Sequence, residues 1–450
     1  MSRRRLPSEV EVDVDALGPD GLGRAHYGER AIRVRNALPG ETVTARVLKR
    51  KRGTFMADGI SVAHPHADRV RSSCAHFPRC GGCSHHHIAY DAQLTAKSET
   101  LAAQLERVGV APRTWLAPVT AGRLHYRRKA RLGVRLVGER VLVGFRESFS
   151  NRVAQLEQCV TLTPEVSRLL QPLGRALTSM SIPDKVPQIE VAQGESGPRA
   201  NRPTLIVRHL SPFAEEDLDA WRRFELRHDV EIVLQPGGYD TMVTLSGGPP
   251  SPLGYDVPGS GLHFVFRPEQ FIQVNLRANR EMIRQALCLL PGLRGARVVD
   301  LFCGIGNFSL PLARAGASVV GYEAAEDAVE TARENALTNR VAAEFRTADL
   351  YRGDELDTRL VSSLAQADAL VLDPPRSGAG PLLAEWLRVF GGDAVLYVSC
   401  NPETFADDAR VLEHAGFRLD RVGIFDMFPN TAHVETMGLF VRDSKDFADG

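Results

Sequence analysis

The chain has 450 residues and equal numbers of basic and acidic residues, 55 of each, so its formal net charge is zero. This length allows two or three domains with ample buried core, and 43% hydrophobic with 24% charged residues is ordinary for a globular protein. No apolar stretch approaches the roughly 20 residues that span a membrane, and the basic start lacks the apolar segment of a signal peptide. We therefore expect a cytoplasmic monomer with no membrane contact and reduced thiols.

Charge is distributed unevenly along the chain. Residues 1–152 contain 27 Lys and Arg against 14 Asp and Glu, and nine of these basic residues fall between Arg123 and Arg152. Tyr126, Phe145 and Phe149 are interleaved with them. Because cations neutralise phosphates and aromatic rings stack on bases, this stretch predicts contact with nucleic acid. A solvated basic face is the alternative.

The first elements are short alternating runs, such as residues 9–14 and 32–35, separated by glycines. This pattern predicts a small antiparallel barrel of the OB-like kind, and such barrels often bind nucleic acid. A barrel with a purely structural role is the alternative. We assign residues 1–67 to this domain.

A mixed central domain is expected over residues 68–262, and it begins with a loop that contains Cys74, Cys80 and Cys83. In a cytosolic protein such spacing indicates a metal or cluster site rather than disulfides. With a fourth thiolate, either structural Zn or a [4Fe–4S] cluster would fit. The neighbouring histidines, residues 85–87, are expected at the surface or in contact with RNA, and ligation of the metal or cluster is the alternative.

The fourth thiol is found by elimination among the remaining cysteines. Cys400 and Cys303 follow predicted strands of the C-terminal part, and Cys288 lies in a helix-like stretch where an inert core thiol is expected. Cys159 is therefore the candidate fourth ligand.

From residue 263 to 450, strand-like runs alternate with helical stretches, as at residues 297–302, 318–323, 369–373 and 394–398. This alternation predicts an α/β domain with a parallel sheet and crossover helices. In such sheets, ligands bind outside the carboxyl ends of the strands.

The first strand of this domain runs into a turn with Gly304 and Gly306 and then into a helix. Ser309 occupies the place of the third glycine of a dinucleotide fingerprint, which weakens an NAD assignment. Glu323 ends the next strand, where a carboxylate can accept both hydroxyls of a ribose, and Asp349 ends the following one, placed to meet an adenine. The series resembles the nucleoside site of the S-adenosylmethionine-dependent methyltransferase fold.

The fourth strand is followed by residues 373–376, Asp-Pro-Pro-Arg. In amino-methyltransferases a similar motif usually ends in an aromatic residue that stacks on the target base. Arg376 at this place argues against an exocyclic nitrogen as the methyl acceptor.

Cys400 ends the next buried run and is followed by Asn401-Pro402, so its thiol is placed for chemistry. Carbon 5 of uracil becomes nucleophilic only after a thiolate adds to carbon 6, and a base must then remove the carbon 5 proton. Cys400 can supply the thiolate and Glu435, just before the last strand, the base. An inert buried thiol and a surface glutamate are the alternatives.

The chain resembles the RNA uridine-C5 methyltransferase family, in particular the 23S rRNA subgroup with a TRAM domain and an iron–sulfur cluster. Five ordered motifs carry the resemblance, at residues 271–275, 300–308, 373–376, 399–402 and 433–435. It implies that Cys400 attacks and that Glu435 deprotonates. It implies that six residues contact the methyl donor: Gln273, Phe302, Asn307, Glu323, Asp349 and Asp373. It also implies a [4Fe–4S] cluster on four cysteines: Cys74, Cys80, Cys83 and Cys159.

The expected partner is RNA, with a uridine of a single-stranded or looped region flipped into the pocket. The barrel and cluster together favour large-subunit ribosomal RNA by analogy, and transfer RNA is the alternative. Three other classes remain open: a non-catalytic RNA-binding assembly factor, a redox protein built around the cluster, and a DNA cytosine-C5 methyltransferase.

Overall fold

The computed structural model describes residues 7–290, 292–351 and 358–442. Its first domain is a closed barrel of five strands, in the order β1-β2-β3-β5-β4. The strands are β1 (Glu9–Leu17), β2 (Gly23–Tyr27), β3 (Arg30–Arg35), β4 (Thr42–Lys51) and β5 (Thr54–Val62). Alternate residues of β1, such as Val10 and Val12, point inward and give the barrel its own apolar core. The predicted barrel is confirmed, but it is not antiparallel throughout, because β3 and β5 pair in parallel.

The middle of the chain contributes a six-stranded sheet, in the order β12-β11-β10-β9-β7-β8. The elements of this part are α1 (Tyr90–Val108), β6 (Thr114–Trp115), β7 (Lys129–Val137), β8 (Arg140–Gly144), α2 (Pro164–Ser167), α3 (Leu170–Thr178), β9 (Gln188–Gln193), β10 (Pro203–Arg208), α4 (Glu215–His228), β11 (Glu231–Gln235) and β12 (Val243–Thr244). One apolar cluster lies between this sheet and helices α2, α3 and α4.

The C-terminal part is built on an eight-stranded sheet, in the order β17-β16-β15-β18-β19-β21-β20-β6, beside the hairpin β13-β14. Its elements are β13 (Leu253–Val257), β14 (Leu262–Phe266), α5 (Leu276–Leu289), β15 (Arg297–Leu301), α6 (Ser309–Arg314), β16 (Ser318–Glu323), α7 (Glu326–Asn339), β17 (Ala343–Thr347), α8 (Thr358–Gln366), β18 (Ala369–Leu372), α9 (Leu383–Val389), β19 (Ala394–Ser399), α10 (Pro402–His414), β20 (Phe417–Phe425) and β21 (Glu435–Arg442).

Strands β15 to β19 are parallel, as the alternating pattern predicts, whereas β21 is antiparallel to both β19 and β20. Two apolar clusters cover the two faces of this sheet. The predicted α/β class is confirmed. No helix within the described ranges combines the length and apolarity needed to cross a bilayer.

Two elements from the segment assigned to the central domain lie against the C-terminal sheet. Strand β6 pairs in parallel with β20, with Trp115 next to Val422. Leu101 and Leu105 of α1 belong to the same buried cluster as Leu412 of α10. The domain limits drawn at residues 67 and 262 stay a prediction, but the eight-stranded sheet extends into the first third of the chain through β6.

Candidate active site

The carboxyl ends of the parallel strands open into a cavity of about 650 Å³. Seven of the eight residues predicted for catalysis and donor binding line it: Gln273, Phe302, Asn307, Glu323, Asp373, Cys400 and Glu435. Asp349 is exposed beside it and accepts a hydrogen bond from the Tyr351 N–H at 3.0 Å. Its neighbours Leu350 and Tyr351 do line the cavity.

The turn after β15 requires unusual backbone conformations. Phe302, Gly304 and Gly306 all have positive φ angles, of 65°, 52° and 91°, which glycine adopts without steric cost. The Gly304 N–H donates to a carboxylate oxygen of Glu323 at 3.2 Å. The other Glu323 oxygen accepts from the N–H groups of Ala324 at 2.7 Å and Ala325 at 3.0 Å. The carboxylate at the end of β16 is therefore fixed against the turn.

The residue in place of the third glycine has a structural role. The Ser309 hydroxyl donates to the buried carboxyl of Asp300 at 2.5 Å, which connects the start of α6 to β15. Burial raises the pKa of Asp300 to about 7, although the bond from Ser309 opposes this shift. A glycine could not make this contact.

Asn307 is held by residues that the sequence did not indicate. Its side chain exchanges two hydrogen bonds with that of Asn279, at 2.8 and 2.9 Å, and accepts a third from the Tyr255 hydroxyl at 3.1 Å. Asn279 lies one turn after the helix cap Asn275 on the buried face of α5. In the sequence, two asparagines four residues apart on an apolar helix face were the pattern that could have indicated this contact.

Cys400 and Glu435 meet because β21 is antiparallel to β19. Val398 pairs with Met437 and Ser399 with Thr436, so the next step of the register brings Cys400 opposite Glu435. Side chains of directly opposed residues lie on the same face about 5 Å apart. Both line the cavity, so the predicted nucleophile and the predicted base are brought together.

Burial and like charge disfavour the ionised forms of these groups. Burial and the charge of Glu435 raise the pKa of the Cys400 thiol to about 11, while Arg376 opposes this shift. Burial, then Asp373, raises the pKa of Glu435 well above its usual range. Burial, then Asp300 and Glu323, raises that of Asp373 to about 8. Such strongly perturbed groups in one cavity are typical of a catalytic site.

The four predicted cluster cysteines line a second, small cavity: Cys74, Cys80, Cys83 and Cys159. Burial, and then the neighbouring thiols, raises the pKa of Cys80 to about 11. Across the described part of the chain, no three His, Cys, Asp or Glu side chains form a group suited to one metal ion. Cys303 is buried, whereas Cys288 is exposed. The prediction of a core thiol at Cys288 is wrong, because this position faces outward on α5.

The prediction for residues 85–87 is also wrong, because all three histidines are buried. The ring of Phe77 stacks on His87 at 5.4 Å and meets His86 edge-on at 5.9 Å. Burial lowers the pKa of His85 to about 3 and that of His86 to about 4, so both are neutral at pH 7. They fill the space beneath the cysteine loop instead of contacting solvent.

The cysteine loop is hydrogen-bonded to the segment that precedes Glu435. The N–H groups of Ser84 and His85 both donate to the Asn430 carbonyl, at 3.0 and 2.9 Å. The Ser84 hydroxyl accepts from the Ala432 N–H at 3.0 Å. The residue after Cys83 thus contacts the chain three residues before the predicted base.

Two of the three aromatic residues in the basic stretch are not available for base stacking. Tyr126 is buried and its hydroxyl donates to the Pro429 carbonyl at 3.1 Å. Phe145 lines the cysteine cavity and packs against the Arg127 guanidinium. Phe149, which is half-buried like Phe145, lies beside Arg35 and Lys49.

Comparison with known proteins is consistent with this geometry. Residues 254–443 match the family described as tRNA (Uracil-5-)-methyltransferase, and residues 3–59 match the TRAM domain. The chain is 43% identical over 451 residues to the 23S rRNA (uracil(1939)-C(5))-methyltransferase RlmD of Alkalilimnicola ehrlichii, covering 99% of each chain. It is 39% identical to the protein of that name from Hahella chejuensis, covering 98% of this chain and 100% of the relative.

Among solved structures, the Pyrococcus abyssi tRNA (uracil-54, C5)-methyltransferase in complex with S-adenosyl-L-homocysteine has the same fold. The TM-score is 0.73 at 23% identity, covering 96% of this chain and 99% of that chain. The resemblance carried by the sequence motifs is confirmed. About two-fifths of all positions are identical to those of relatives that match nearly the whole chain. The chain therefore belongs to the RNA (uracil-C5)-methyltransferase family of S-adenosylmethionine-dependent enzymes, and it carries an N-terminal TRAM domain.

Proposed function

We propose that this protein transfers a methyl group from S-adenosylmethionine to carbon 5 of a uridine in RNA. The observation that supports this best is that Cys400 and Glu435 line one cavity, just beyond Ser399 and Thr436, where the pairing of β19 with β21 ends. The names of its relatives refer to uracil 1939 of 23S rRNA, so the proposed substrate is the corresponding ribosomal uridine. A transfer RNA uridine is the alternative.

The donor set of the cavity fits the proposed cofactor. Glu323 offers carboxylate oxygens at the end of β16, Phe302 offers an apolar ring, and Gln273 and Asp373 offer polar groups nearby. Asn307, braced by Asn279, completes the set. When bound, S-adenosylmethionine supplies a methyl group on a sulfonium, which is the electrophile.

The protein's own groups perform the covalent steps. The Cys400 sulfur bonds to carbon 6 of the uracil, and the ring electrons move onto the carbonyl oxygen at carbon 4 and onto carbon 5. Carbon 5 would then take up the methyl group as the bond between the methyl group and the donor sulfur breaks, which would leave the donor as a neutral thioether. Glu435 removes the remaining carbon 5 proton, the electron pair restores the ring double bond, and the bond between sulfur and carbon 6 breaks. The burial of Glu435 keeps water away from this intermediate.

A groove between the barrel and the central sheet offers a surface for RNA. It has a volume of about 620 Å³, and its lining includes one aromatic ring and five basic side chains: Phe149, Arg35, Arg46, Lys49, Arg79 and Arg152. Basic side chains with an aromatic platform suit a single-stranded backbone with stacked bases. The barrel and this groove would hold the RNA while the target uridine enters the catalytic cavity.

The four cysteines around the second cavity are proposed to hold a [4Fe–4S] cluster. A single Zn ion draws its thiolates to about 2.3 Å from one centre, whereas a cubane carries each ligand on a different iron atom. Four thiols share this cavity, and the resemblance to the iron–sulfur subgroup favours the cubane over Zn. The protein is further proposed to act as a cytoplasmic monomer, which light scattering of the purified protein tests.

The proposed roles predict opposite phenotypes for two substitutions. Cys400→Ala should abolish methylation, because no sulfur can activate carbon 5. Glu435→Gln should trap the methylated uracil on the enzyme, because the carbon 5 proton stays in place. The measurement is methyl transfer to ribosomal RNA from cells that lack the protein, followed by a denaturing gel that detects the covalent RNA–protein species.

Cys288→Ala is the matched control, since this thiol is exposed and lies outside the cavity; it should methylate normally. Retained activity in Cys400→Ala would refute the nucleophile assignment. No methylation of any RNA by the intact protein would favour a non-catalytic assembly factor. Mapping 5-methyluridine in the treated ribosomal and transfer RNA distinguishes the two substrates.

A further inference from the structure

Arg376 is tied to both halves of the predicted catalytic pair. Its backbone carbonyl accepts hydrogen bonds from the side chains of Asn401, at 3.1 Å, and Thr404, at 3.3 Å. Its guanidinium contacts Nδ1 of His433 at 3.0 Å. Asn401 follows Cys400 and His433 lies two residues before Glu435, so Arg376 bridges the two strands that carry these residues.

The contact with His433 fixes the state of the imidazole. An arginine guanidinium can only donate, so Nδ1 of His433 must be the acceptor and the ring proton must be on Nε2. His433 is therefore neutral in this arrangement. Partial burial, together with the positive charges of Arg376, Arg127 and Lys97, lowers the pKa of His433 to about 4.

Arg376 is the one basic side chain among the described residues that line the catalytic cavity. Cys400 faces two acidic groups there, Glu435 and Asp373, and each disfavours a thiolate. A positive charge near the sulfur favours the thiolate, and Arg376 is the side chain in this cavity that can supply it. Arg376 and Cys400 both line this cavity, and the residue after Cys400 is hydrogen-bonded to the Arg376 carbonyl.

We propose that Arg376 is the cation that stabilises the Cys400 thiolate for attack on the uracil and that His433 is the positioning residue that orients it. This inference rests on the proposed function, in which the thiolate is the attacking species. Arg376 would act on the sulfur itself, whereas His433 acts only through Arg376.

The test measures the reactivity of the Cys400 thiol directly, without RNA. The rate of alkylation by iodoacetamide is followed between pH 7 and 9.5 by mass spectrometry of the Cys400 peptide. Removal of a neighbouring positive charge should raise the thiol pKa by about one unit and slow alkylation about tenfold across this range. Arg376→Gln should show this loss, and Arg376→Lys a smaller one.

Substitutions of His433 test whether the Arg376 guanidinium must be oriented toward the sulfur or only has to be present. His433→Ala should slow alkylation although Arg376 is intact, because the guanidinium is no longer held toward the sulfur. His433→Gln retains a carbonyl acceptor and should restore part of the rate. Arg388→Gln, at an exposed position of α9, is the control for the loss of any arginine and should alkylate like the unmodified protein.

Two results would overturn the inference. An unchanged alkylation rate in Arg376→Gln, with methylation lost, would mean that Arg376 acts on the RNA or the uracil instead of the sulfur. Loss of S-adenosylmethionine binding by calorimetry in the same variant would mean that Arg376 is structural; we expect this affinity to be unchanged. Failure of the proposed function would be distinguishable, because Cys400→Ala would then still methylate RNA.

Discussion

Glu435 illustrates how one buried carboxyl serves two steps of the proposed reaction. Burial, and then the neighbouring Asp373, raises its pKa well above the usual range, which disfavours its charged form beside the Cys400 thiol. The same burial makes the ionised form a stronger base once it is generated. The two groups therefore titrate as a pair, and neither has a pKa that belongs to it alone.

Single residues also test the proposed cluster. Cys159→Ser should lower the iron and acid-labile sulfide bound per chain and weaken the visible absorption of protein purified without oxygen, because one corner of the cubane loses its thiolate. Cys288→Ser is the matched control and should bind the same amount as the unmodified protein. Stoichiometric Zn with no sulfide would contradict the cluster.

For single residues, the sequence predicts a position in the site when that position follows from the strand in which the residue lies or which it follows. Cys400, Glu323 and Asp373 end or follow parallel strands, and the carboxyl ends of such strands share one edge of the sheet. The positions of the buried histidines depend on which distant elements pack together. Their spacing in the chain contains no information on that packing, which is why the surface assignment of residues 85–87 was wrong.

Among the elements, the segment between β20 and β21 has a particular importance because it leads into Glu435. Residues from the N-terminal part of the chain contact this segment at two places, Asp426 and Asn430. Asp426 receives the buried Lys97 ammonium at 2.6 Å and the Tyr90 hydroxyl at 2.8 Å, both from α1. Asn430 is held by the cysteine loop. The base is thus positioned by contacts that lie more than 300 residues away in sequence.

Asn430 offers a sharp test of this anchoring. It has a φ of 65°, and its N–H donates to the Gln93 side chain at 3.0 Å. Asn430→Ala loses the side-chain contacts and strains the backbone, whereas Asn430→Gly loses the contacts alone. Alanine should therefore destabilise the protein by about 1–2 kcal/mol more than glycine, measured by urea unfolding. Hydrogen exchange of the segment should be fastest in the alanine variant, and equal exchange in both would contradict the anchoring role.

For the whole molecule, the N-terminal half is part of the catalytic domain's architecture. Strand β6 covers the edge of β20, and α1 packs on α10 through a shared apolar cluster. The repeating strand–helix pattern after residue 263 was sufficient to predict the sheet. Strand β6, at two residues, is too short to produce any sequence pattern, so its place could not be predicted.

A truncated chain tests this dependence. A protein that begins at residue 254 retains the matched family region but leaves the edge of β20 unpaired and Asp426 without Lys97. We expect it to aggregate on expression, because exposed edges and apolar faces promote association. A chain that begins at residue 64 is the control: the barrel has a separate core, so this protein should fold and bind RNA more weakly. A soluble, donor-binding fragment from residue 254 would contradict the expectation.

The insertion of β21 between β19 and β20 has a consequence for biosynthesis. Ribosomes release a polypeptide from its amino terminus, so the strand with Glu435 emerges after both of its neighbours. Until then β19 has an open side, and the cavity around Cys400 lacks Glu435. A nascent chain can therefore contain the complete cofactor-binding turn before it is able to methylate a nucleotide. It becomes active only when the strand that carries Glu435 has inserted between β19 and β20.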